Sequence, residues 1–142
     1  MLVKNILAGK LGGVVTIEPT AGLTAAVKLL TEQRIGAVVI LGADHRIVGI
    51  LSERDIVRAL AEQGPTVLNE PVSQVMTREV KTCTANDTID GLMGRMTTGK
   101  FRHMPVVEQG KLIGIVSIGD VVKNRVEEIE HEAEALRDYV RQ

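Results

Sequence analysis

The sequence predicts an α+β chain built from two β-α-β-β-α repeats, each with its own small sheet, and a helical extension at its C-terminal end. Three observations carry this expectation. Gly49-Ile50-Leu51-Ser52-Glu53-Arg54-Asp55-Ile56-Val57 aligns with Gly114-Ile115-Val116-Ser117-Ile118-Gly119-Asp120-Val121-Val122, sharing Gly, Ile, Ser, Asp and Val at matching places. Upstream, Leu23, Ala26, Val27 and Leu30 recur as Ile89, Leu92, Met93 and Met96, the spacing of one helix face. The 44% hydrophobic content is almost wholly aliphatic, with Phe101 and Tyr139 the sole aromatics, as suits helices packed on short strands.

In chain order, Val3 to Leu7 reads as a short apolar turn before a strand near Val14 to Ile17. The amphipathic helix over Leu23 to Leu30 follows, then a strand over Ile35 to Leu41, a polar turn at Gly42 to His45 and a second strand ending in Gly49-Ile50-Leu51. A second helix starts after Ser52. The series repeats as a turn over Val72 to Met76, a strand over Val80 to Cys83, a helix from Ile89, a strand over Phe101 to Val107, a turn at Glu108 to Gly110, a strand ending in Gly114-Ile115-Val116 and a helix after Ser117.

Between the copies, Gly64, Pro65 and Pro71 mark a linker. The expected divisions are a first motif over 1–64, a linker over 65–71, a second motif over 72–125 and a C-terminal helix over 126–142. A copy of about 60 residues has little core of its own. Two copies related by a pseudo-twofold axis can bury their sheets against each other and create two equivalent clefts.

From Asp120 to Gln142 the chain has neither Gly nor Pro, and Val122, Val126, Ile129, Ala133, Leu136 and Val140 alternate spacings of four and three. That is a heptad seam, suited to pairing with another chain or to folding back on its own core.

Composition limits the functions available. Net charge is −1 and the 17 basic residues are scattered, which counts against nucleic acid as a partner. Cys83 is the sole cysteine, so a disulfide framework and a cysteine-cluster zinc site are excluded. No stretch reaches the roughly 18 apolar residues of a membrane span, and Met1 to Gly13 has neither an apolar run nor a cleavage site, so the expectation is a cytoplasmic protein. His45, His103 and His131 lack metal-ligand spacing, and Cys83 has no partner that would make it a nucleophile.

A single Ser-x-x-Asp is a helix capping box and nothing more. Its recurrence at equivalent places, each time after a glycine-containing apolar strand, points further. An ionised carboxylate accepts from both hydroxyls of a cis-diol, and a helix N-terminus offers N–H donors to phosphate. Together they suit a ribose phosphate.

The order of elements, Gly-Ile-Leu-Ser-x-x-Asp and Gly-Ile-Val-Ser-x-x-Asp, and the stretch Phe101-Arg102-His103-Met104-Pro105-Val106-Val107 resemble the CBS motif, whose tandem pair is called a Bateman module. The resemblance covers Val3 to Asn124. It implies that Asp55 and Asp120 accept from ribose hydroxyls and that Ser52 and Ser117 contact ribose or phosphate. It also implies that backbone near Thr16, Ile17, Thr82 and Cys83 meets the base edge, and that Arg102, His103, Met104 and Pro105 lie on a strand facing the nucleotide cleft, the first two against phosphate. The repeats differ here: Gly36 and Ala37 stand where the second has Arg102 and His103, while the first carries Arg54 where the second has Gly119. The two clefts are therefore expected to differ in affinity or ligand. The resemblance implies a non-catalytic regulatory module that binds AMP, ADP, ATP or NAD(H), forms a homodimer and signals to a regulated protein not encoded here. The alternatives are a ligand-free dimerisation module and, against the balanced charge, a nucleic-acid-binding protein.

Overall fold

The computed structural model describes residues 1–10 and 13–141, and Gln142, which the sequence reading includes in the last helix, lies outside them. The elements are α1 (Val3–Ala8), β1 (Thr16–Ile17), α2 (Leu23–Gln33), β2 (Ala37–Leu41), β3 (Ile47–Ser52), α3 (Glu53–Gln63), α4 (Ile89–Gly99), β4 (His103–Glu108), β5 (Lys111–Ser117) and α5 (Ile118–Arg141). Among the described residues no helix is long and apolar enough to cross a membrane.

The chain divides into two compact units, Gly13–Lys81 and Met1–Gly12 with Thr82–Gln142. The division does not follow the repeats. Helix α1 belongs to the unit of the second repeat, and the 3₁₀ turn Val72–Gln74 belongs to the unit of the first. Each opening segment thus completes the other repeat's core: Val72 and Met76 join Leu23, Leu30, Ile40 and Leu51, while Val3 and Ile6 join Ile89, Leu92, Met104 and Val116.

The two motif glycines explain how the exchange is accommodated. A Cβ on Gly49 would overlap Met76 Sδ and sit 2.8 Å from its Cγ, and one on Gly114 would sit 2.5 Å from Leu7 Cδ2. Both glycines are therefore gaps in a strand through which the borrowed segment packs. The segment between Gly64 and Pro71 is packed as well, because Pro65–Asn69 forms a 3₁₀ turn that buries Val67 to 1% exposure.

Both hairpins are antiparallel and share one irregularity, a register shift at Ile40/Leu41 in β2–β3 and at Val106/Val107 in β4–β5. Strands β2 and β4 start two residues later than the sequence suggests. Arg34 and Lys100 close α2 and α4 in the left-handed conformation, at φ 55° and 57°, and the chain needs the next residues to turn into the sheet.

The strand expected over Val80 to Cys83 does not form. In the first unit β1 pairs in parallel with β2 at Thr16↔Val39 and Ile17↔Ile40, whereas the equivalent parallel pairing in the second unit is the isolated bridge Cys83↔Val106. Pro105, which aligns with Val39, is the reason. In the parallel ladder the residue at this position must donate its N–H, and proline has none. Its carbonyl still accepts from Cys83 at 3.0 Å, so one bridge survives and the second cannot.

Candidate functional site

The recurrent Ser-x-x-Asp folds into the same local structure in both units. Ser52 ends β3 and caps α3: its Oγ accepts from the Asp55 amide at 3.2 Å, and Asp55 Oδ2 accepts from the Ser52 amide at 2.9 Å. Ser117 and Asp120 repeat this at 3.1 Å and 2.9 Å. The first helical amides are also spent alike, Glu53 N–H on Gly36 O at 3.0 Å and Ile118 N–H on Arg102 O at 2.7 Å. Of the first three amides of each helix, this leaves the second, on Arg54 or Gly119, to meet an anion.

The carboxylates keep different company. Thr77 Oγ1 donates to Asp55 Oδ1 at 3.2 Å, and the Arg58 guanidinium lies 3.8 Å from the same oxygen. Asp120 Oδ2 instead receives the Lys10 ammonium at 2.7 Å. Lys10 also donates to the Ile115 carbonyl at 2.8 Å, where the first unit uses the Thr77 amide on Ile50 O, again at 2.8 Å. Burial alone would raise the Asp120 carboxyl, but hydrogen bonds from Lys10 and the Ser117 amide outweigh it and hold the group below the usual 3.8.

This doubled framework is matched by the CBS domain family model, over residues 11–62 and again over 72–127. The chain belongs to the CBS-domain family. A CBS-domain-containing protein from Agrobacterium tumefaciens of known structure is 48% identical, with a TM-score of 0.84 over 87% of this chain and 92% of that one. A CBS domain protein from Pyrobaculum aerophilum, solved in complex with AMP, is 27% identical, with a TM-score of 0.75 over 84% of this chain and 89% of that one. A mitochondrial CBS domain-containing protein of Arabidopsis thaliana is 37% identical over 81% of this chain, which spans 58% of that relative's length.

Within each CBS motif the residues singled out from sequence take distinct positions. Thr16 is exposed and Ile17 half-buried on β1, Arg54 is exposed on the first turn of α3, and Ser52, Asp55, Ser117 and Asp120 are half-buried at the strand-to-helix junctions. In the second motif Arg102 is exposed, and His103 is half-buried and paired with Ser117 in the β4–β5 register. Met104 is buried in the core of its unit at 0% exposure, and Pro105 is buried in the same strand. Cys83 is a core residue at 2% exposure whose amide donates to the Pro105 carbonyl at 3.0 Å and whose carbonyl accepts from the Val107 amide at 2.9 Å. The neighbouring Thr82 carbonyl accepts from Arg95 at 3.0 Å.

Lys10 and Thr77, which meet the two aspartates, had no signal in the linear sequence. They follow the exchanged opening segments, and only folding brings them to the other repeat's helix. A groove of about 630 Å³ lies between α2 and α3, lined by Val27, Leu30, Ile35, Gly36, Glu53 and Ile56 among others. It takes in none of Thr16, Ile17, Ser52 or Asp55.

Proposed function

We propose that this chain is a regulatory module that binds an adenine nucleotide through its two Ser/Asp helix starts and performs no catalysis itself. The observation that carries the reading is the duplication of one local geometry: strand end, capping serine, aspartate and one spare helix amide. The AMP complex of the Pyrobaculum aerophilum protein supports adenine as the base. On this reading Asp55 and Asp120 take ribose hydroxyls on the oxygen lone pairs that the capping box leaves over, and Ser52 and Ser117 flank the sugar. The Arg54 amide serves phosphate in the first motif, and Arg102, His103 and the Gly119 amide serve it in the second. Thr16, Ile17, Thr82 and Cys83 lie beside the base. A nucleotide switches the module by binding one shape of it better than another, and the module works as a cytoplasmic homodimer whose output is read by a separate protein.

Lys10 on Asp120 favours one variation: the second site is filled internally until a ligand displaces the ammonium or recruits it to phosphate. A thermal-shift panel with AMP, ADP, ATP, NAD, NADH, GMP and S-adenosylmethionine tests the proposal. A ligand at 100 times its dissociation constant adds about 2.7 kcal/mol, so a selective rise with adenine compounds is expected. No rise with any of them would leave a dimerisation module without ligand.

A further inference from the structure

Helix α5 is 24 residues long, yet Val121 is its one buried residue among those described. The apolar stripe stays uncovered by its own chain, with Val122 at 43%, Ile129 at 48%, Leu136 at 64% and Val140 at 75% exposure. From Glu130 to Arg141 every residue is exposed. A solvated helical segment of about a dozen residues is marginal in water, so this stripe gains most by being covered.

We infer that α5 pairs with α5 of a second copy of this chain as a parallel, in-register two-stranded coil, an inference that rests on the homodimer reading above and adds the surface and its orientation. The spacing sets Val126, Ala133 and Val140 at a positions and Val122, Ile129 and Leu136 at d, and valine at a with leucine at d suits two parallel strands. Charge decides the direction. The flanking g positions hold Arg125 and Glu132, and the e positions hold Lys123, Glu130 and Arg137. In a parallel pair each g residue faces the next e residue of the other copy, which sets Arg125 against Glu130 and Glu132 against Arg137, opposite charges in both cases.

The antiparallel register that covers the whole stripe sets Lys123 against Arg137, Glu130 against Glu130 and Glu132 against Glu132, like charges throughout. Sliding that register by a heptad leaves one end of the stripe bare. Arg125 is shared with its own chain, 3.7 Å from Asp90 and bonded to Glu128, so Glu132 and Arg137 are the discriminating pair.

The test is oxidation of the Leu136→Cys variant of the full chain, read on a non-reducing gel. A parallel coil brings the two d-position thiols together, whereas the full antiparallel overlap holds them about 15 Å apart along the axis, beyond the reach of a disulfide. The unsubstituted protein is the control, since Cys83 is buried. A covalent dimer from the variant alone is expected. In sedimentation, Glu132→Arg weakens self-association about tenfold and Arg137→Glu added to it restores binding. A dimer in sedimentation that fails to cross-link, or one tightened by Arg137→Glu alone, overturns the coil and spares the homodimer. A monomeric native protein overturns both.

Discussion

The two CBS motifs of this chain share one backbone plan and differ in a few residues whose effects can be traced one at a time. The first motif has a three-stranded sheet, a hydroxyl bonded to Asp55 with a guanidinium at 3.8 Å, and an arginine on its helix start. The second has a two-stranded sheet, an ammonium on Asp120 and a glycine on its helix start. Duplication has preserved what the fold requires, namely the glycine gap, the hairpin shift and the capped helix. The shared serine and aspartate are kept too, and it is the side chains around them that have diverged.

The comparison breaks most severely at Val39. Val39→Pro puts into the first motif the residue that costs the second its strand, and because Val39 is buried in a central strand the loss should be about 3 kcal/mol, measured by urea unfolding. The reverse change, Pro105→Val, should be close to neutral in stability, since the new donor is offset by a looser unfolded chain. It should nevertheless slow amide hydrogen exchange around Thr82 and Cys83. Faster exchange there would refute the explanation of the missing strand.

The glycine gaps come next. Gly49→Ala should cost about 2 kcal/mol and Gly114→Ala about 1, because the added Cβ in the first case also meets a backbone atom, Thr77 O, at 3.1 Å, and in the second meets the mobile end of Leu7. Equal losses in urea titrations would show that the borrowed segments pack alike.

Lys10→Met should cost about 1 kcal/mol at neutral pH, and Thr77→Val less. The pH dependence separates them. Asp120 has a lowered carboxyl in the folded chain, so its contribution is present above 3.8 and is lost as pH falls below that value. Lys10→Met should flatten this acid loss in a stability-versus-pH series, and Thr77→Val should leave it in place. The smallest effect concerns Cys83, whose thiol is pushed up to about 11 chiefly by burial, with Asp87 adding to the rise and Arg95 opposing it. Alkylation of the native protein at pH 8 should therefore be slow in both the free and nucleotide-bound states.

Much of this architecture was legible in the sequence because the signals were local and repeated. Helix faces, hairpins and the Ser-x-x-Asp junctions each span no more than 16 residues, and the second copy checks the first. What was not legible depends on contacts between distant segments. The exchange of Val3 to Leu7 with Val72 to Met76 leaves no mark on either stretch, so Lys10 and Thr77 could not be assigned to their aspartates. Cys83 is expected at the base edge through its repeat position, and the pairing of its amide with Pro105, 22 residues on, shows only in the fold. The heptad spacing was visible, but whether the chain's own core covers it was settled only by the exposure of α5.

The central claim is that the two aspartates are ribose acceptors in sites made unequal by Lys10 and Thr77. Calorimetric titration of AMP into the native chain, Asp55→Ala and Asp120→Ala tests it most directly. The account predicts that at least one variant loses a binding event and that the two variants differ in what remains. Unchanged titrations in both would contradict it and reduce the two junctions to helix caps.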